Sequence, residues 1–226
     1  APMDVNGPHV PETMSRPASL TFTRGHTWGP SPEMPRAAGR RGIVMSMSTE
    51  PGNGYWTGTN DARGTLKGIR EGTWAPQTHN RQETLIRWAQ RQWDVDEQRI
   101  VGSIGAWGMW EIKRADLYAY IHGWGMPEVT KGFLCWDWAR GAWGPPAAYE
   151  GKPDDKNPWV LQDYSAWVKA HPEKELPYFR IHTGWGAHFS EMGWPPYPRF
   201  IRTMIDTRRA FCFQSPAVGE AMRQGI

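Results

Sequence analysis

Ser103 is the residue of this chain best placed to act as a nucleophile. It stands in the run Gly102-Ser103-Ile104-Gly105, between a short apolar stretch and a predicted helix. A turn of this kind between a strand and a helix is so tight that its neighbouring side chains must be small, and it lifts the hydroxyl above the sheet. Glycine and serine also populate ordinary surface turns, so a surface turn is the alternative interpretation.

A serine hydroxyl needs an imidazole to accept its proton and a carboxylate to orient that imidazole. His188 is the candidate base, and Glu191 or Asp137 is the candidate carboxylate. The loop that holds His188 follows a predicted strand, and carboxyl ends of neighbouring strands are where open α/β sheets place their sites. The alternative, which we favour, is that His188 is a half-exposed loop histidine with no part in catalysis.

Residues 94–121 resemble the nucleophile region of the α/β-hydrolase superfamily, particularly its secreted esterase-like and prolyl-oligopeptidase-like branches. Three pieces carry the resemblance: Val95-Asp96-Glu97-Gln98-Arg99-Ile100, Ser103-Ile104-Gly105-Ala106-Trp107-Gly108 and Ala115-Asp116-Leu117-Tyr118-Ala119-Tyr120-Ile121. The resemblance implies that Ser103 is the nucleophile and that the backbone amide of Ile104 donates to the oxyanion. The chain departs from the family's GxSxG run at its first glycine, whose position holds Val101.

The resemblance also implies where the acid and the histidine should lie, and other residues occupy both positions. Ala187 stands at the acid position and Val218 at the histidine position. No histidine follows His188, so a later residue cannot complete the family's order of serine, acid and histidine. We therefore expect an impaired nucleophile, because loss of a triad member typically costs about 10⁴-fold in rate.

Three functions stay open at this point. The first is a serine hydrolase of ester or peptide bonds with reduced activity. The second is a non-catalytic hydrolase-fold protein that binds a small-molecule, peptide or glycan ligand, or another subunit of an oligomer, through Trp-rich loops. The third is a carbohydrate-binding protein, which rests on composition alone: fifteen tryptophans accompany 25 glycines and 20 prolines.

Strand and helix signals alternate along the chain. Strands are predicted near 43–47, 99–102, 117–122, 178–183 and 210–214, and helices near 80–93, 105–113, 158–169 and 197–207. This alternation predicts parallel βαβ units, so the expected fold is a three-layer α/β/α sandwich with a mostly parallel central sheet. Residues 42–226 are predicted to form this single domain, after an irregular segment, 1–41, with one strand at 20–23.

Local signals refine these predictions. Asn80 with Glu83 predicts a capping box at the first helix, and Asn157 followed by proline predicts the start of the helix at 158. The stretches 49–78 and 123–158 are rich in glycine and predicted to be irregular. The tryptophans in helical patterns are predicted to lie in the core, and they are Trp88, Trp93 and Trp167. Those in Gly/Pro-rich segments are predicted to line a cleft, and they are Trp28, Trp56, Trp74, Trp185 and Trp194.

Composition argues against several functional classes. The net charge is only +3 and the basic residues are scattered, which disfavours a nucleic-acid partner. Two cysteines are too few for a disulfide framework or a four-ligand zinc site, and the histidines are dispersed, so no metal or cofactor is expected. No apolar run reaches the length of a membrane span. The chain begins with alanine, which agrees with a processed, exported protein and also with an excised fragment. We expect a protein exported to the periplasm or the cell exterior.

Overall fold

The computed structural model describes residues 18–24, 42–47, 58–104, 109–123, 127–129, 131–132, 134–182 and 196–214. Six strands form one parallel sheet: β1 (Ala18–Arg24), β2 (Gly42–Met47), β5 (Val95–Ile104), β6 (Tyr120–Gly123), β7 (Tyr178–His182) and β8 (Phe211–Gln214). A separate antiparallel pair consists of β3 (Thr59–Asn60) and β4 (Trp74–Ala75). The α-helices are α1 (Gln77–Gln92), α2 (Leu134–Trp143), α3 (Pro158–Leu161), α4 (Tyr164–Ala170) and α5 (Pro196–Asp206).

The large sheet has the order β2-β1-β5-β6-β7-β8, and every neighbouring pair of strands is parallel. The predicted α/β sandwich with a mostly parallel central sheet is therefore confirmed. All five strands predicted between residues 42 and 226 are present. β1, the strand predicted within residues 1–41, lies inside the sheet between β2 and β5, so the sheet extends across the expected boundary at residue 41.

The hydrophobic core lies against one face of this sheet. Leu20, Ile43 and Ile100 occupy neighbouring register positions on β1, β2 and β5, and all three are buried. Farther along the sheet, Phe179 of β7 is buried and meets Phe200 of α5 edge-on, with the ring centroids 5.6 Å apart. Burial of such side chains stabilises the fold by roughly 1.5–3 kcal/mol each.

The start of α1 differs from the prediction. The helix begins at Gln77, after Pro76, which provides no side-chain cap. Glu83 does not take part in a capping box, because its carboxylate binds the guanidinium groups of Arg114 (2.6 Å) and Arg87 (2.8 Å) instead. Two charge-assisted hydrogen bonds of this kind are stronger than one bond to a neutral backbone amide.

The buried face of α1 leaves out Trp88, which was predicted to belong to the core. The buried residues share the face that meets the sheet, and they are Thr78, His79, Gln82, Ile86 and Ala89. Trp88 points away from this face, is 41% exposed, and packs edge-on against Trp93. The prediction that Trp88 belongs to the core was wrong, because two polar side chains, those of His79 and Gln82, take core positions that the apolar pattern could not indicate.

The predicted helix at 158–169 is two short helices. Asn157 caps α3 as expected, since its side-chain oxygen accepts a hydrogen bond from the Trp159 amide at 3.0 Å. α3 ends at Leu161, and Asp163 caps α4 by accepting from the Ala166 amide at 2.8 Å. An aspartate at this point favours a new helix start over continuation, because its carboxylate satisfies an amide that a first turn leaves unpaired.

Two stretches predicted to be irregular contain regular structure. Residues 123–158 include α2, whose Ala139, Ala142 and Trp143 are buried. The stretch 49–78 includes the hairpin of β3 and β4, where Trp74 is buried rather than lining a cleft. The glycines of both stretches masked the periodicity, since glycine is unfavourable in the interior of both helices and strands.

The chain between β5 and β6 differs in part from the prediction. Of the helix expected at 105–113, the described residues form a single 3₁₀ turn, Trp110–Lys113, while 105–108 lie outside the described part. β6 begins at Tyr120 rather than near 117. The amides of Leu117 and Tyr118 both donate to the Arg114 carbonyl, at 2.9 Å each, which holds these residues in a turn.

Lys113 joins this turn to the junction of α3 and α4. Its ammonium donates to the Leu161 carbonyl at 2.7 Å and lies 5.1 Å from the ring centroids of both Tyr164 and Trp167. Burial lowers the pKa of Lys113 to about 8, although the nearby carboxylate of Asp163 opposes the shift. The Lys113 ammonium therefore lies in a site where burial disfavours its charge, while its hydrogen bond to the Leu161 carbonyl is formed.

Lys113 should make the free energy of unfolding depend on pH in the alkaline range. Between about 8 and the ordinary lysine value of 10.5, the unfolded chain binds more protons at this residue than the native state. The free energy of unfolding should therefore rise as pH increases through this window. We expect Lys113→Met to remove most of that rise, measured by urea unfolding at pH 7, 8, 9 and 10. Lys169→Met, on the exposed side of α4, is the matched control, and an unchanged slope in Lys113→Met would contradict the assignment.

Candidate active site

Ser103 lies at the carboxyl end of β5, one residue before the strand ends. Its backbone pairs with Thr23 of β1 on one side and with His122 of β6 on the other. Ile104, the predicted oxyanion donor, is the last residue of β5 and pairs with Gly123. The end-of-strand position is thus the expected one, but Ser103 has the extended backbone of the sheet rather than the strained turn that was predicted.

The pairing of β5 with β1 is irregular before it reaches Ser103. Between its pairs with Ala18 and Leu20 of β1, β5 advances from Val95 to Ile100, so the register shifts by three residues. After this irregularity the pairing continues through Ser103. A bulge of extra residues re-aims the part of the strand that follows it.

Ser103 stands where the order of the strands reverses. From β1 the chain continues into β2 on one side of the sheet, whereas β5 lies on the other side, and β6, β7 and β8 follow outward from β5. Open α/β sheets bind their ligands outside the carboxyl ends of the strands at such a reversal, because the connections diverge there and leave a crevice. Thr23 and Ser103 flank this reversal directly.

The sheet carries a row of polar residues at this end. Successive register partners across the six strands are Ser46, Thr23, Ser103, His122, Arg180 and Cys212. The row one residue earlier is apolar apart from a glycine, and consists of Met45, Phe22, Gly102, Ile121, Phe179 and Phe211. The two rows are successive along each strand, so their backbone positions alternate between the two faces of the sheet.

Packing against the core explains why residue 102 is a glycine. A Cβ atom at this buried position would lie 3.0 Å from the ring of Tyr118 and 3.1 Å from the Ile121 side chain. Tyr118 cannot easily yield, since it is fully buried and its hydroxyl accepts a hydrogen bond from Gln82 Nε2 at 2.5 Å. The glycine before Ser103 thus makes room for a core tyrosine, where the sequence suggested a tight turn.

A buried polar cluster lies beneath Gly102, and sequence reasoning missed it. Gln82 Nε2 donates to Glu111 Oε1 at 3.2 Å as well as to Tyr118. Beside it, the buried His79 of α1 stacks on Trp110 with ring centroids 4.5 Å apart. The cluster belongs to the core side of the sheet, so it supports the strand of Ser103 without joining the polar row.

The other predicted site residues either lie outside the described part of the chain or are exposed to solvent. His188 and Glu191 lie outside the described part, as do Ala187 and Val218. Asp137 is on α2 with its side chain 73% exposed, 3.9 Å from Arg140, which is the position of a solvated helix residue. Trp28, Trp56, Trp185 and Trp194 also fall outside the described residues.

Searches for a metal site and for a membrane span were negative within the described residues. No group of three or more histidine, cysteine, aspartate or glutamate side chains there could hold a metal ion. None of the helices in that part of the chain combines the length and the apolar character needed to cross a bilayer.

Replacement of glycine by alanine should have opposite effects on the free energy of unfolding at Gly102 and at Gly141. Gly102→Ala should lower the free energy of unfolding by about 1–3 kcal/mol, because the new methyl group overpacks Tyr118 and Ile121. Gly141→Ala, in the interior of α2 with no atom within 4 Å of the new methyl, should raise it by about 0.5–1 kcal/mol. Urea unfolding of both variants measures this, and a stabilised Gly102→Ala would show that the Tyr118 contact is not restrictive.

Solved structures of low sequence identity share this fold. A structure assigned to a carboxylesterase of Lactobacillus plantarum matches with a TM-score of 0.55 and 11% identity, over 90% of this chain and 77% of that one. Esterase 2 of Thermogutta terrifontis, phosphonylated by sarin, matches with a TM-score of 0.51 and 13% identity, over 88% and 72%. An acylaminoacyl peptidase in complex with a chloromethyl ketone matches with a TM-score of 0.54 and 11% identity, over 91% of this chain and 33% of that one.

Sequence comparison adds nothing to these likenesses, since no protein-family model and no curated protein matches the chain. The strand order, the reversal at β1 and the shared architecture with esterases and peptidases agree with the resemblance that residues 94–121 indicated. The chain has the α/β-hydrolase fold.

Proposed function

We propose that the protein is a serine hydrolase of ester or peptide bonds, with Ser103 as its nucleophile and with reduced catalytic competence. The observation that carries the proposal is the position of Ser103 at the carboxyl end of β5, beside the reversal of strand order. A hydroxyl at this place can meet a carbonyl carbon in the crevice that such a reversal creates. Structures of esterases and peptidases that share the fold support the reaction class.

The proposed chemistry is acyl transfer to Ser103 followed by hydrolysis. The amide of Ile104, the residue after the nucleophile, is the proposed oxyanion donor. The competence is reduced because Ala187 and Val218 occupy the positions where the resemblance implies an acid and a histidine. Oxyanion donors and substrate positioning alone still support a residual acceleration of about 10³–10⁴-fold over water.

The second candidate function is non-catalytic binding through aromatic surfaces. Trp136 of α2 and Trp159 of α3 are half-buried, and their ring centroids lie 4.6 Å apart. The buried Trp143 supports Trp159 from behind, edge-on at 5.2 Å. A pair of partly exposed indoles, tilted by 48° to each other, offers an apolar surface to a small molecule, a peptide or a glycan. This function requires no reactive serine, so the two candidates give different results in a single experiment.

Labelling with a fluorophosphonate tests the proposal, since the reagent forms a covalent bond with an activated serine. We expect one adduct, on Ser103, identified by peptide mass spectrometry and absent from Ser103→Ala. The rate should be several orders of magnitude below that of a complete triad, because a triad member contributes about 10⁴-fold. Heat-unfolded protein is the control for nonspecific reaction. A folded protein that forms no Ser103 adduct would refute the hydrolase proposal and leave binding as the remaining candidate.

A further inference from the structure

We propose that the tip of the loop between β3 and β4 docks the protein on an anionic lipid surface. The loop tip consists of residues 63–70. In the docked state the Leu66 side chain enters the boundary between headgroups and acyl chains, and the cations of the loop tip meet the negatively charged headgroups. This inference goes beyond the proposed function, because it involves neither Ser103 nor a chemical step.

Leu66 is the most exposed large apolar side chain of the described residues. Its relative accessibility is 108%, so no other part of the chain covers it. The other large apolar side chains exposed in that part of the chain reach 41–55%, and they are Trp88, Val160, Tyr178 and Ile205. Single exposed apolar residues are ordinary on protein surfaces. A leucine that is fully hydrated, however, gains the most when it enters an apolar medium.

Hydrogen bonds fix the turn that presents Leu66. Thr65 Oγ1 donates to the Ala62 carbonyl at 2.7 Å and accepts from the Lys67 amide at 3.1 Å. The Thr65 amide also donates to the Ala62 carbonyl, at 3.1 Å. Leu66 therefore stands at the apex of a turn that a threonine side chain closes. A turn that already has its bound conformation loses little conformational entropy on binding.

The base of the loop is fastened to the body of the protein. The buried Asn60 donates from Nδ2 to the Ile69 carbonyl at 3.1 Å. Lys152, which lies 80 positions farther along the chain, donates to the Gly72 carbonyl at 2.9 Å. Between these two attachments, residues 63–68 are all exposed. The loop tip is therefore an exposed turn on a supported base, available to a surface outside the protein.

The cations of the loop tip favour an anionic surface. Arg63, Lys67 and Arg70 are exposed, and none of the three forms an ion pair with a carboxylate of the described residues. Each lysine or arginine near a membrane with anionic lipids strengthens attachment about fivefold. Because the net charge of the whole chain is only +3, a local group of cations of this kind, rather than overall charge, would provide the attraction.

The two acidic residues of the loop do not pair with these cations. Asp61 Oδ1 accepts from the Thr73 amide at 2.8 Å, and Glu71 Oε1 accepts from the Gly68 amide at 3.2 Å. Both carboxylates thus bind backbone amides of the loop itself. The guanidinium and ammonium groups of the loop tip remain available to headgroup phosphates.

The size of the loop tip favours a lipid surface over an acidic protein. A stable protein–protein interface takes about 20–30 residues from each partner, and the loop tip offers far fewer. Attachment to a membrane surface needs only some apolar area that enters the interface together with cations that meet anionic lipids. One inserted leucine with three cations gives reversible attachment of this kind.

The test is co-sedimentation of the protein with vesicles at about 0.1 M ionic strength, where exposed charges interact over about 10 Å. The parent protein should bind mixed phosphatidylcholine–phosphatidylglycerol vesicles about tenfold or more tightly than vesicles of phosphatidylcholine alone. Raising the salt to about 1 M shortens the screening length to about 3 Å and should remove most of this preference.

Substitutions then assign the binding to the loop tip. Leu66→Ser should weaken binding to the mixed vesicles by about tenfold or more, since serine gains little on leaving water. Lys67→Gln and Arg70→Gln should each weaken it about fivefold. Ile205→Ser and Lys169→Gln make the same kinds of change at exposed positions of α5 and α4, and these matched controls should bind like the parent. An unchanged Tm shows that each variant keeps its fold.

Three results would overturn the proposal. The first is a parent protein that does not bind the mixed vesicles. The second is equal weakening by Lys67→Gln and Lys169→Gln, which would show adsorption by net charge. The third is unchanged binding in Leu66→Ser, and a loop tip that contacts an acidic protein instead would give the first or the third result. Fluorophosphonate labelling of Ser103 is measured without vesicles, so failure of the docking proposal and failure of the hydrolase proposal are distinguishable.

Discussion

The contact between the Tyr118 ring and the backbone of Gly102 joins the parts of the molecule that position the candidate site. A Cβ atom at residue 102 would lie 3.0 Å from that ring. β5 and the segment before β6 can therefore pack this closely only if residue 102 is a glycine. The Tyr118 hydroxyl then accepts from Gln82, which ties α1 to the same point, and Gln82 also donates to the buried Glu111. A fully buried polar group is costly without partners, so these hydrogen bonds fix a single arrangement of helix and strand.

An ion-pair network secures the same junction from its outer side. Arg114 binds Glu83 of α1 and Asp116 at 2.6 and 2.7 Å, and Arg87 adds a second contact to each carboxylate. Hydrogen bonding to Arg114 lowers the pKa of Glu83 to about 2, and Arg114 likewise holds the pKa of Asp116 below its usual range. Glu83 therefore stays charged until strongly acidic pH. Asp116, one of the residues that carry the family resemblance, therefore has a structural task here rather than a catalytic one.

The fold and the chemistry of this protein rest on different kinds of observation. The parallel order of six strands and the likeness to esterases and peptidases establish the architecture. The proposed reaction rests instead on the place of Ser103 at the carboxyl end of β5, beside the reversal of the strand order.

The sequence by itself determined the α/β class, because strand and helix periodicities arise from local residue order. It also determined the strands near 43–47, 178–183 and 210–214, and the cap at Asn157. It did not determine the register, which sets Ser103 beside His122 and makes a polar row from residues more than 150 positions apart in the chain. Nor could it place His79 and Glu111 in the interior, since a polar residue in a sequence pattern indicates an exposed position unless its buried partner is known. Local preference acts over a few residues, whereas register and burial depend on contacts between distant segments, and only the tertiary structure supplies those.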